Sequence, residues 1–93
     1  MSKIKIIIAD DYKIFREGLK VGLSADEGLE VIAEADNGED LVKLLDAYTP
    51  DVILMDLKMP IMDGMEATKI VRKKYPTMKV LVVSMYEDDK FII

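Results

Sequence analysis

Between Pro50 and Pro60 lies a run of four apolar residues, Val52, Ile53, Leu54 and Met55, that closes on a carboxylate, Asp56. A run this short, apolar at every position and bracketed by proline, has the pattern of a strand covered on both faces. Strands of that kind belong to parallel sheets with helices packed on each side. The run also leaves a charge to explain. Asp56 stands at the carboxyl end of the strand, where open α/β sheets form their ligand-binding crevices.

The rest of the chain supplies the alternation that such a sheet requires. Residues 3–9 are rich in isoleucine and end in Asp10 and Asp11, the pattern of a buried first strand. Ile14, Phe15, Leu19, Gly22 and Leu23 then fall at helical spacing, with Gly28 as the stop. Residues 29–35 alternate, which places Val31, Ala33 and Ala35 on one face and Glu30 and Glu34 on the other, as in an edge strand. Asn37 caps a second helix that turns Leu41, Leu44, Leu45 and Tyr48 inward until Pro50 ends it. After a third strand at 51–56, Asp63 caps a third helix, with Glu66 three positions on and Ala67, Ile70 and Val71 facing inward. Pro76 closes that unit, and a fourth strand is expected at 79–84. Glu87, Asp88 and Asp89 read as the acidic first turn of a fourth helix, in which a longer sequence has been cut at Phe91, Ile92 and Ile93.

Strands alternating with helices of this length imply right-handed crossovers and a parallel α/β sheet. With the second strand at an edge, the strand order becomes 2-1-3-4, and the switch point falls between strands one and three. Asp10 and Asp11 end one flanking strand and Asp56 the other, so distant segments deliver three carboxylates to one crevice. Each acid alone is also a plausible turn former.

Composition narrows what the cluster can do. Ninety-three residues make one domain with a modest core, and 51% hydrophobic with 33% charged residues is a globular balance. Cysteine and histidine are absent, so neither a disulfide framework nor a thiolate or imidazole metal site is available. A formal net charge of −5 is the wrong sign for electrostatic binding of nucleic acid by this chain. Its apolar runs are too short to cross a bilayer and no secretory pattern opens the chain, which reads as cytoplasmic. Two carboxylates about 4 Å apart repel by roughly 4 kcal/mol at an effective dielectric near 20, so three together favour protonation or a cation. An all-oxygen site suits a hard divalent ion such as Mg²⁺, which typically bridges carboxylates to phosphate oxygens. The chemistry indicated is phosphoryl transfer with an aspartate as acceptor.

Several of these residues together carry a family resemblance. Asp10 and Asp11 after a strand, Asp56 followed by Lys58, Met59, Pro60, Asp63 and Gly64, and Ser84 ending the fourth strand resemble the receiver domain of two-component response regulators. Asp10 and Asp11 followed by Arg16, Gly18 and Leu19 are similar to receivers of the NarL/FixJ (LuxR-type) subgroup, although Tyr12 stands where that subgroup often has histidine. The resemblance implies a flavodoxin-like (CheY-like) doubly wound sheet whose fifth strand and fifth helix are missing from residues 1–93. It implies that Asp56 accepts a phosphoryl group from a sensor histidine kinase. Mg²⁺ (or Mn²⁺) would be bound by Asp11 directly, by Asp10 through water, by Asp56 and by the backbone carbonyl of Lys58, whose side chain reads equally as a solvent-facing loop lysine. Ser84 would be the switch hydroxyl, or otherwise a polar residue ending a strand. Tyr86 matches a mobile switch aromatic or a surface ring. Met55, Met59, Met62 and Met65 read as packing residues.

A complete receiver also has a lysine on its fifth strand that pairs with the phosphoryl group, and no lysine here fills that place, since Lys90 comes too early. DNA would be reached only through a C-terminal domain absent from these residues. An uncovered fourth-strand edge favours a homodimer. Three other readings compete. A haloacid-dehalogenase-type phosphatase wants a second Asp two residues after the nucleophile, where Lys58 stands. An FMN-binding module would need a phosphate cradle where Asp10 and Asp11 place negative charge. A phosphorylation-incompetent interaction module would show no Mg²⁺-dependent labelling.

Overall fold

The computed structural model describes residues 3–83, which hold four strands and three helices in strict alternation. They are β1 (Ile4–Ala9), α1 (Lys13–Ser24), β2 (Leu29–Ala35), α2 (Gly38–Leu44), β3 (Val52–Met55), α3 (Gly64–Lys74) and β4 (Lys79–Val82). Ser84, Tyr86, Lys90 and the expected start of a fourth helix lie outside the described residues. The strands are parallel in the order β2-β1-β3-β4, as the crossover argument requires. Beyond the ends of β3, the Asp51 N–H still donates to the Lys5 carbonyl at 2.8 Å and the Asp56 N–H to the Ala9 carbonyl at 2.9 Å.

β1 and β3 are apolar at successive positions because both of their faces are covered. Ile7, Ala9, Ile53 and Met55 point to one side, where Leu41 of α2, Leu45 just past its end, and Ala67 and Val71 of α3 close over them. Ile6, Ile8 and Leu54 point to the other side, against Leu19 and Leu23 of α1. Fully burying an Ile or Leu side chain contributes about 1.5–3 kcal/mol, so these central strands supply much of the drive to fold. Helix starts follow their caps. Asn37 Oδ1 accepts the Asp40 N–H at 2.7 Å, and Asp63 Oδ1 accepts the Glu66 N–H at 2.8 Å.

Two expectations need correction. First, β2 does not keep Val31, Ala33 and Ala35 on one face. Ile6 pairs with Val31 but Ile7 pairs with Ala33, so Ile32 is an extra residue and the strand bulges there. Val31 joins the α1 side, whereas Ala33 and Ala35 join the α2/α3 side. Second, Tyr48 is exposed. The chain after α2 tightens through i→i+3 bonds, Leu45 to Val42, Asp46 to Lys43 and Ala47 to Leu44, which carries Tyr48 off the inner face. Helix α1 buries no residue fully, and its Ile14 and Val21 are 75% and 71% exposed. Its apolar stripe is wider than one sheet contact needs. A groove lined by Tyr12, Ile14, Phe15, Gly18, Leu19, Gly22 and Leu23 runs along α1.

Candidate functional site

The polarity of the sheet brings the three acids together. Asp10 follows β1 and Asp56 follows β3, and because these neighbouring strands run parallel, both carboxylates emerge at the same end. Carboxylate oxygens of Asp10, Asp11 and Asp56 lie within 4.8 Å of one another. Asp10 and Asp56 are buried, at 2% and 4% exposure, while Asp11 is exposed. The cluster thus has a walled side and an open side.

Electrostatics mark Asp56 as the strained member. Burial, followed by the charge on Asp10, pushes its carboxyl up to about 6, with Asp11 adding to the rise and hydrogen bonds from the backbone N–H groups of Leu57 and Lys58 opposing it. Asp10 is raised too, chiefly by burial, against the hydrogen bond from the Tyr12 N–H. Asp56 Oδ1 is buried and has no hydrogen-bond partner among the described residues. A buried carboxylate oxygen without a donor costs free energy. Hard oxygen donors on three sides, one of them orphaned, fit a divalent cation.

The loop after β3 is built to hold this geometry. A Cβ on Gly64 would stand 2.0 Å from the Asp56 carbonyl oxygen, so only glycine lets α3 start so close to the acceptor strand. The Gly64 N–H donates to the Leu57 carbonyl at 2.8 Å and closes the loop. A second close approach ties this loop to the start of α2. The Gly38 N–H donates to the Met62 carbonyl at 2.9 Å, and a Cβ on Gly38 would meet that oxygen at 2.5 Å. Ile61, between the two ties, has φ 69. Met55 and Met59 are buried and Met62 packs against the same core, as expected, but Met65 is 56% exposed. The Lys58 side chain is exposed, and Ser84 lies outside the described residues.

Comparison with known proteins decides the family. The model of the response regulator receiver domain matches residues 6–93. The chain belongs to the response regulator receiver domain family. Among curated relatives, the transcriptional regulatory protein DegU of Brevibacillus brevis is 45% identical over 91 residues, which are 98% of this chain and 39% of DegU. Among solved structures, the signal receiver domain of the putative response regulator NarL from Mycobacterium tuberculosis is 34% identical with a TM-score of 0.88, covering 97% of this chain and 73% of that one. RcsB from Salmonella enterica serovar Typhimurium, 26% identical with a TM-score of 0.85, covers 95% of this chain and 74% of its own. That RcsB structure is bound to promoter rprA in the presence of the phosphomimetic BeF₃⁻. The receiver chain spans about two fifths of the length of the curated relatives it matches. The sheet order is that of receiver domains, and the phosphatase and flavin readings give way to that family assignment.

Sequence reasoning found all three acids of this receiver but passed over what holds them. Arg16 donates from Nε to Glu34 Oε1 at 3.0 Å and from Nη1 to the Asp10 carbonyl, and neither contact was foreseen. The signal was an arginine in the first turns of the helix that follows Asp10 and Asp11.

Proposed function

We propose that Asp56 is the phosphoacceptor of this receiver and that the phosphoryl donor is a phosphohistidine on a sensor kinase. The observation that carries this is the orphaned Asp56 Oδ1, buried in a cluster of carboxylates with its proton affinity raised. A carboxylate oxygen without a donor of its own is a nucleophile held out of water, and Asp11 leaves the approach open. In the transfer, an Asp56 oxygen forms the new O–P bond as the N–P bond of the donor breaks, and the departing imidazole takes up a proton. Asp10, Asp11, Asp56 and the Lys58 carbonyl would hold Mg²⁺ (or Mn²⁺), which when bound neutralises charge on the phosphoryl oxygens. The hydrogen bonds of the Leu57 and Lys58 N–H groups orient the acceptor. Ser84, next after Val83, whose N–H donates to the Met55 carbonyl at 2.8 Å, would supply the switch hydroxyl.

On this reading the chain is a phosphoacceptor signalling domain whose only chemistry is its own phosphorylation and dephosphorylation. It works in the cytoplasm on a DNA-binding output domain outside residues 1–93. Relatives titled transcriptional regulatory proteins, and longer than this chain, support that arrangement. Among the described residues no helix is long and apolar enough to cross a membrane.

Incubation with Mg²⁺ and acetyl phosphate, followed by intact-mass analysis, tests the assignment. The full-length parent should gain one phosphoryl group and Asp56→Asn none. Labelling that survives in Asp56→Asn would remove Asp56 from the role.

A further inference from the structure

The acidic centre exists only if the turn carrying Asp10 and Asp11 keeps its place against β3. Asp10 is held at three points. Its N–H donates to the Ala35 carbonyl at 3.0 Å, its Oδ1 accepts the Tyr12 N–H at 2.8 Å, and its carbonyl accepts from Arg16 Nη1. Of the three, the contact from Arg16 is the one made by another residue's side chain. The Arg16 side chain is 14% exposed, and its Nε is committed to Glu34. Glu34 in turn is anchored on β2 and also receives Lys20 Nζ on its second oxygen at 3.0 Å.

A guanidinium is a rigid planar fork, so a group bonded at once to a strand carboxylate and to a backbone carbonyl cannot rotate without losing one of them. Lysine, a point charge on a flexible stem, cannot hold both. The clamp joins β2, α1 and the end of β1 at the residue that begins the acidic turn. Supporting groups of this kind orient metal ligands, and their loss typically weakens metal binding by about 10–100-fold.

We propose that Arg16 is a positioning residue for the acidic centre: held between Glu34 and the Asp10 carbonyl, it fixes the Asp10–Asp11 turn and thereby sets the affinity for a divalent cation. The inference rests on the reading that Asp10, Asp11 and Asp56 hold such a cation. Charge and position act here with opposite signs. As a positive group beside Asp10, Arg16 repels a cation, and by charge alone its removal would tighten binding. As a clamp it keeps the ligands gathered, and its removal loosens binding.

Titration calorimetry with MgCl₂ alone, without phosphodonor, separates the two when thermal unfolding is followed in parallel. Arg16→Ala and Arg16→Lys should each bind Mg²⁺ about tenfold or more weakly, and Glu34→Gln should shift in the same direction. Asp51→Asn is the control at the opposite end of the sheet, where Asp51 Oδ2 accepts the Lys5 N–H at 2.7 Å. It should lower the Tm and leave Mg²⁺ affinity alone. If Arg16→Ala does not fold, Arg16→Lys and Glu34→Gln decide. Affinity of Arg16→Lys within about twofold of the parent chain, or tighter binding by Arg16→Ala, overturns the proposal. A parent chain that binds no Mg²⁺ brings down the reading of the acidic centre with it, whereas normal parent binding with an unaffected Arg16→Lys brings down Arg16 alone.

Discussion

Burial and the charges of Asp10 and Asp11 hold the Asp56 carboxyl at about 6, against 3.8 for an unperturbed aspartate. Between those values the metal-free folded chain binds more protons than the unfolded chain, so its stability falls as pH rises through that window. A gap of about two pH units corresponds to roughly 3 kcal/mol at most. Asp56→Asn keeps the shape and removes the charge. In the presence of chelator it should therefore be more stable than the parent by roughly 1–3 kcal/mol at pH 7.5, with the gain vanishing near pH 4. Urea denaturation at the two pH values checks this, and an equal difference at both would show that the buried charge is not what separates the proteins. Added Mg²⁺ should then favour the parent, because binding to the folded state stabilises it. Asp10, Asp11 and Asp56 were legible in the sequence because a carboxylate closing an apolar run is costly and so stands out. Arg16 and Glu34 were not, because their contact spans two elements and depends on which way a bulged strand turns its side chains.

Among the elements, β1 and β3 were read to within a residue at their ends, since continuous apolar runs with polar stops leave little choice of position. The caps Asn37 and Asp63 were equally plain. β2 misled because alternation is a period-two signal and one extra residue resets its phase without changing composition. Tyr48 misled because helical spacing assumes that the helix continues, and the i→i+3 turns beyond Leu44 end it. The start of α3 was placed by its cap, but how closely it approaches Asp56 depends on the path of the loop, which no local pattern records. Gly64→Ala would set a Cβ 2.0 Å from the Asp56 carbonyl oxygen, against backbone that cannot swing aside. It should destabilise the chain by about 2 kcal/mol or more and displace the acceptor loop. Thermal unfolding together with phosphorylation rate checks both effects, and an unchanged Tm would mean that the loop and α3 separate easily.

At the scale of the molecule, strand order followed from crossover handedness and one edge-like strand, and all three acids then fell at one end of the sheet. Among the described residues β4 is hydrogen-bonded on one side, to β3, and its Leu81 and Val82 are 57% and 45% exposed. The bulge in β2 has a consequence for chain length. Losing one residue from a strand ordinarily sends every later side chain to the opposite face. Without Ile32, however, Leu29, Val31 and Glu34 would still face α1 and Ala33 and Ala35 would still face α2 and α3, now in unbroken alternation. The same loss within β1 would exchange its two buried faces. Position 32 is thus where this fold can shed a residue and keep the facing of every other strand residue and its arginine clamp, losing only the Ile32 side chain packed against the α2/α3 side.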